Sequence, residues 1–294
     1  MLNEPMNGDW GGSWTTRKLD AFAKYVSAYL KIMNNQRHWK TIYFDGFAGS
    51  GDRNITSTEL YESLLFTQEE EAGYKGAAER VLTLPDNLAF DYYYFIDNNK
   101  VSLENLKQKI SHYGEEKNIK LVFRKGECNA NLDKLSRIMK DKPNVYASLI
   151  FLDPFGMQIN WNSIENLKNT RSDIWILIPT GVIVNRLLDR NGTLKYLEKL
   201  QSFLGLNENE IKEHFYRGET AITLFGDEEI ITKISKPIER IAELYIKRLR
   251  SIWEHVSDKP LVLKNTRGLP IYHFVFASNN QTAIKIANEI IKAI

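Results

Sequence analysis

The chain has a single cysteine, Cys128, among 294 residues. That excludes an internal disulfide and any zinc site built from cysteines within one chain. The five histidines, His38, His112, His214, His255 and His273, show no metal-ligand spacing, so no metal is expected. No stretch approaches the roughly 18 apolar residues of a membrane-spanning helix. The opening "MLNEPMNGDWGG" lacks both the positive start and the apolar core of a secretory signal. A cytoplasmic protein with no membrane partner is expected. Neither sign of charge dominates: 39 Lys and Arg against 37 Asp and Glu leave a net charge of +2. That is far short of the basic surplus that by itself announces a nucleic-acid binder. Internal repeats, low-complexity linkers, the dinucleotide G-x-G-x-x-G and the Gly-Lys-Ser/Thr of a phosphate loop are all missing.

What is present is a soluble globular composition, 43% hydrophobic and 26% charged. Helical spacing of Leu19, Phe22, Ala23, Val26, Tyr29 and Leu30 predicts a helix over 16–35, with Thr15 or Thr16 as its cap. Apolar, β-branched and aromatic runs predict strands at "WKTIYF", "FDYYYFID", "IKLVFRKG", "YASLIFLD" and "DIWILIP". Between them come helical patterns at 57–71, 100–116, 130–140 (Asn129 or Asn131 capping) and 161–169. Alternating strands and helices imply a mostly parallel sheet covered on both faces. Four segments result: an N-terminal helical segment, 1–38, and a Rossmann-like cofactor-binding core, 39–181. A mostly helical insertion, 182–258, precedes a C-terminal antiparallel hairpin and helix, 259–294, the hairpin turning around Thr266–Gly268.

One stretch, "FDGFAGSGD", places Gly46, Gly49 and Gly51 directly behind a strand. It reads either as a tight turn or as a loop that lets a ligand approach the backbone. The next strand ends carry Asp97, Glu127 and Asp153. Singly, each acid reads as a helix cap. Together, at the carboxyl ends of neighbouring strands, they suit a nucleoside ligand, with an acid after the second strand holding the ribose hydroxyls. Other stretches stay open: Ile178–Gly181 as pocket wall or turn, and Arg186 as phosphate contact or solvated side chain. Lys247, Arg248 and Arg250 beside Trp253 read as a nucleic-acid contact or a solvated helix face, and Trp10 and Trp14 as lid or packing.

The motifs "DGFAGSG", "FIDNN", "GECN" and "FLDPFG" resemble motifs one to four of class I S-adenosylmethionine-dependent methyltransferases. With Trp14, Arg17, Lys18, Leu19 and Tyr25 and the C-terminal "LPIYHFVFAS", the chain resembles more closely the three-Cys-motif partner proteins. The resemblance implies S-adenosylmethionine as cofactor and a doubly wound α/β fold of that class. Asp45 would face the cofactor's amino group. Gly46, Gly49 and Gly51 would let the backbone pass close to its methionine part, Asp97 would grip its ribose, and Glu127 with Cys128 would border its adenine; Phe47, Ala48, Ser50 and Asn98 complete the cofactor-binding set. Glu127 stands where an aspartate is usual, and the Gly51–Asp97 gap is longer than the roughly 20 residues of a compact unit. An insertion near 69–87 would account for it.

The catalytic expectation falls on Asp153, Pro154, Phe155 and Gly156. An exocyclic amine conjugated with its ring has a poorly available lone pair. A carboxylate and a backbone carbonyl accepting its N–H bonds favour the pyramidal form, and an aromatic ring can stack on the base. The same four letters resemble motif four of tRNA guanine N2-dimethyltransferases, and are similar to the Asp-Pro-Pro-Tyr loops of adenine N6-methyltransferases. The expected function is methyl transfer to an exocyclic amine of a nucleic-acid base, in RNA or DNA. A separate protein partner is left open. The rivals are a protein or small-molecule methyltransferase and a non-catalytic cofactor-binding partner protein.

Overall fold

The computed structural model describes residues 12–49, 76–223, 226–265 and 267–294. Ser50, Gly51, the helix expected over 57–71, Trp10 and Thr266 lie outside the described residues.

Helix α1 (Gly12–Met33) leads into strand β1 (Lys40–Asp45). After the short α2 (Gly76–Leu82) come β2 (Tyr92–Asp97), α3 (Lys100–Ile110), α4 (His112–Glu116), β3 (Lys120–Lys125), α5 (Cys128–Asp141), β4 (Tyr146–Leu152), α6 (Trp161–Glu165) and β5 (Ser172–Ile178). Strands β1 to β5 pair in parallel in the order β3-β2-β1-β4-β5. The long β10 (Pro270–Ser278) then pairs antiparallel with β5. Two short strands, β8 (His255–Val256) and β9 (Leu261–Lys264), lie along successive halves of its other edge. The fold is therefore a doubly wound, mostly parallel α/β sheet closed by a C-terminal antiparallel hairpin.

Alternation along the strands explains the two-sided core. Tyr43, Phe95, Phe151, Trp175 and Phe274 face α1, where Phe22 stacks on Phe151 at 4.2 Å between ring centroids. Ile42, Phe44, Ile96, Ile150, Leu152 and Ile176 face the other side, toward α5 and the later helices. β4 is buried from Ala147 to Leu152, as a strand covered on both faces must be. Helix α11 (Gln281–Lys292) packs beside α1.

The segment after β5 departs from the helical expectation at β8, which pairs with β10, and at a hairpin before it. A π-helix at Thr180–Val184 is followed by α7 (Asn185–Leu187), α8 (Leu197–Leu204), α9 (Glu208–Phe215) and α10 (Pro237–Leu249). Between α9 and α10, however, β6 (Tyr216–Thr223) and β7 (Gly226–Lys233) form an antiparallel hairpin of their own. Charged residues in "YRGETAIT" and "GDEEIITK" break the apolar run that would mark strands; cross-strand pairing supplies what local pattern does not. The cap expectations also change. Helix α1 begins upstream of Thr15, which is buried. Asn129 reaches out to the Gln158 carbonyl, and Asn131 donates back to the Glu127 carbonyl, so neither caps α5.

Candidate functional site

Strand order reverses between β1 and β4, and the carboxyl ends of β2, β1 and β4 meet beside that switch point, where open α/β sheets bind ligands. Asp45 ends β1. It is 1% exposed and accepts hydrogen bonds from the Tyr43 hydroxyl at 3.1 Å and the Phe47 N–H at 3.1 Å. Burial, opposed by these bonds and reinforced by Asp153 and Asp97, pushes its pKa up to about 7.

The glycines behind it have a packing reason. A β-carbon on Gly46 would stand 2.6 Å from Cys128 Sγ and 2.7 Å from a Leu152 methyl. One on Gly49 would meet the backbone of Ser102, in the first turn of α3, at 3.2 Å. Close approach of strand, loop and helix therefore demands glycine at Gly46 and disfavours a larger residue at Gly49. The loop is laced to its neighbours: Gly46 N–H donates to Phe151 O, Ala48 N–H to Ile96 O, and Gly49 N–H to Asp97 Oδ2 at 3.1 Å.

Asp97, ending β2, also accepts from the Asn99 N–H at 2.6 Å. Burial pushes its pKa up to about 6. It is not the cap of α3; Asn99 is, accepting from the N–H groups of Val101 and Ser102. Glu127 precedes α5 without a side-chain capping bond. Its carboxylate instead accepts from the Asn98 amide at 2.6 Å, bridging the ends of β2 and β3. Cys128 is buried, with its thiol pKa pushed up by that burial, so it is a packing residue for Gly46 and an unreactive thiol.

Asp153, Pro154 and Gly156 are buried and Phe155 is partly exposed. The Phe155 N–H donates to Gln158 Oε1. The side chain of Asp153 pairs with Lys18 of α1, Nζ to Oδ2 at 2.5 Å, both side chains 2% exposed. Burial raises the Asp153 pKa and Lys18 opposes that rise. Lys18 is the residue that motif reading used only as part of the family resemblance. A signal for it existed: a cation on the buried stripe of α1, one turn before Phe22, needs a partner.

Asp45, Asp97 and Asp153 thus come together at the ends of adjacent strands, with Glu127 and Asn98 at one side; Ser50 and Gly51 lie outside the described residues. The remaining candidates separate. Trp14 is buried, stacked on Tyr272 at 5.4 Å. Arg248 stacks on Trp161, Arg250 pairs with Asp258, and Trp253 is buried and donates to Ser172 O, so that helix presents no common basic face. Arg186 is exposed, while Thr180 is buried against His273. Among the described residues no group of His, Cys, Asp and Glu could hold a metal, and no helix is long and apolar enough to cross a membrane.

No family model matches the chain, and no curated protein matches it. Among solved structures, it is similar to protein LPL1258 of Legionella pneumophila str. Philadelphia 1, of the family described as DUF519. The identity is 14%, covering 92% of this chain and 98% of that one, with a TM-score of 0.36.

Proposed function

We propose that this chain is an S-adenosylmethionine-dependent methyltransferase acting on an exocyclic amine of a nucleic-acid base, and a relative of the three-Cys-motif partner proteins. One observation carries the reading: three carboxylates, the buried Asp45 and Asp153 and the partly buried Asp97, stand on neighbouring strand ends around a glycine loop, with the pKa values of Asp45 and Asp97 raised to about 7 and about 6. Structural acids seldom cluster so; ligand sites do.

The residues fit the cofactor. An ammonium beside Asp45 would relieve the burial that raises its pKa. Asp97 has its inner lone pairs fixed by backbone N–H groups, which aims the carboxylate for ribose hydroxyls. Asn98 and Glu127 offer donor and acceptor groups to an adenine edge. When bound, the cofactor supplies an electrophilic methyl group. Asp153 accepts the N–H bond of the target amine and, with its raised pKa, the proton the nitrogen sheds as its lone pair forms the new N–C bond. Lys18 orients that carboxylate, and Phe155, partly exposed, stacks on the base.

The test is transfer of a labelled methyl group from S-adenosylmethionine to fractionated cell extract, with and without nuclease. Asp153→Asn is the variant of choice, because its amide oxygen still accepts from the Lys18 ammonium, whereas truncation to alanine leaves that ammonium without this acceptor. Nuclease-sensitive label that depends on Asp153 supports the reading; nuclease-resistant label points to a protein or small-molecule substrate. The Lys18 contact to Asp153 favours one second reading, a cofactor-binding protein without turnover. That reading expects affinity for S-adenosylmethionine, no transfer to any fraction, and unchanged affinity in Asp153→Asn.

A further inference from the structure

A groove of about 390 Å³ opens on the sheet face away from α1, between α5 and the outer strands β2 and β3. Its floor carries Tyr92, Tyr94 and Tyr146, all partly exposed, over buried Ile42, Phe44 and Ile96. The Tyr92 and Tyr146 rings stand 6.5 Å apart at 71°. Its walls are Arg124 from β3 and Lys134, Arg137 and Ile138 from α5, all exposed, Ile138 by 47%. Lys120 adds its ammonium 5.9 Å from the Tyr92 ring centroid. Among the described residues, no acidic side chain lines the groove. Of the acids that adjoin lining residues along the chain, Asp91, beside Tyr92, is engaged by Lys40 and Thr41, and Asp133, beside Lys134, accepts from the Asn166 amide. Asn131, which also lines the groove, is bonded to the Glu127 carbonyl and so joins it to the carboxyl edge of the sheet.

From this arrangement we infer that the groove is a binding track for single-stranded nucleic acid. Tyrosine rings open to solvent give π-faces on which unpaired bases stack, whatever their identity. Cations at both walls, with no carboxylate between them, match a phosphate backbone. A duplex hides its base faces and cannot use the tyrosines. The near-zero net charge of the whole chain conceals this local excess, because acids elsewhere balance it. The inference takes its partner class from the function proposed above and adds the surface: the strand lies on the β2–β3 face and leads its target base over the sheet edge.

The experiment is fluorescence anisotropy of the full chain, without cofactor, using labelled oligonucleotides of roughly 12 residues, oligo-U RNA and oligo-dT DNA. Two variants address different halves of the groove. Tyr94→Leu keeps apolar volume but removes a stacking face, and Lys134→Glu with Arg137→Glu reverses charge on an exposed helix face. Thermal unfolding reports whether each still folds. The expectation is binding that weakens as salt rises from about 50 to about 200 mM. Tyr94→Leu should lose about fivefold or more in affinity, the cost of one stacked base. The charge-reversed variant should lose more and show a shallower salt slope. Lys285→Glu, exposed on α11 on the other face of the sheet, should bind nearly as the parent does. Absence of binding by the parent chain, equal affinity in folded groove variants, or tighter binding of duplex would each overturn the inference. So would self-association that the charge-reversed variant abolishes, which would make the groove an interface between copies. Intact groove-dependent binding with no methyl transfer would sink the enzymatic reading alone. Methyl transfer at the parent level in the groove variants would sink the groove alone.

Discussion

Two acids inside this sheet are held by the same helix and in different ways. Asp153, just past β4, meets the Lys18 ammonium at 2.5 Å. Asp173, near the start of β5 at the opposite end of the sheet, meets the hydroxyls of Tyr25 at 2.7 Å and Ser278 at 2.5 Å. Burial raises both pKa values, but the remedies differ: a charge for Asp153, neutral donors helped by Arg171 for Asp173. Lys18 and Tyr25 lie two turns apart on one face of α1, so a single helix pins both edges. Neutral donors suffice where a carboxylate only has to be buried. A cation beside a carboxylate holds it ionised and oriented in a buried place, which suits the acceptor role proposed for Asp153.

The sharpest way to break this contrast is Lys18→Met, which leaves the Asp153 carboxylate buried without its cation. A loss of about 3–5 kcal/mol in urea unfolding is expected. The double variant with Asp153→Leu should recover most of it. A small loss in Lys18→Met would mean that Asp153 is protonated in the native state and that the pair contributes little.

Asp45 sharpens the same edge through pH. Its native pKa of about 7 exceeds its ordinary value of 3.8, so between those values the folded state binds more protons than the unfolded one. Stability contributed by its protonated form is present at low pH and is lost as pH rises through about 7. The slope from this group is at most about 1.4 kcal/mol per pH unit. Asp45→Asn should flatten the dependence between about pH 4 and 7, measured by chemical unfolding at each pH. An unchanged profile would place the Asp45 carboxyl in a wetter setting than its burial indicates.

Smaller effects follow at the other positions. Asp97→Asn should weaken S-adenosylmethionine binding by about 1.5–3 kcal/mol in calorimetry, the range of bonds to a charged group. Unchanged affinity would remove Asp97 from the ribose. At the far edge, Tyr25→Phe deletes one of two hydroxyl donors to Asp173 and should cost about 1 kcal/mol of stability with methyl transfer unaffected. A change in transfer there would show that the two edges are coupled through α1.

Much of the fold was legible because it is written in period and punctuation. The runs in β1, β4 and β5 are apolar on both faces, and that demands a covered parallel sheet. The β6–β7 hairpin was not legible, since its charged residues hide strands that exist only as a pair. At the candidate site, the motif letters located Asp45, Asp97, Glu127 and Asp153. They did not show that Asn99 is the true cap of α3, that Glu127 turns to Asn98, or that Asp153 already has a partner 135 residues away in sequence. The glycine at Gly46 could be read from sequence as a loop; only packing showed that Cys128 Sγ and Leu152 forbid a side chain there.

The sequence by itself determined which residues alternate, which must be buried and which acids end strands, because burial and period are local consequences of side-chain chemistry. Tertiary structure alone decided who meets whom: Lys18 with Asp153, Tyr25 with Asp173, and tyrosines with arginines and lysines on the β2–β3 face. Those pairings depend on the order in which strands enter the sheet, and contacts between distant segments leave no periodic mark on the chain.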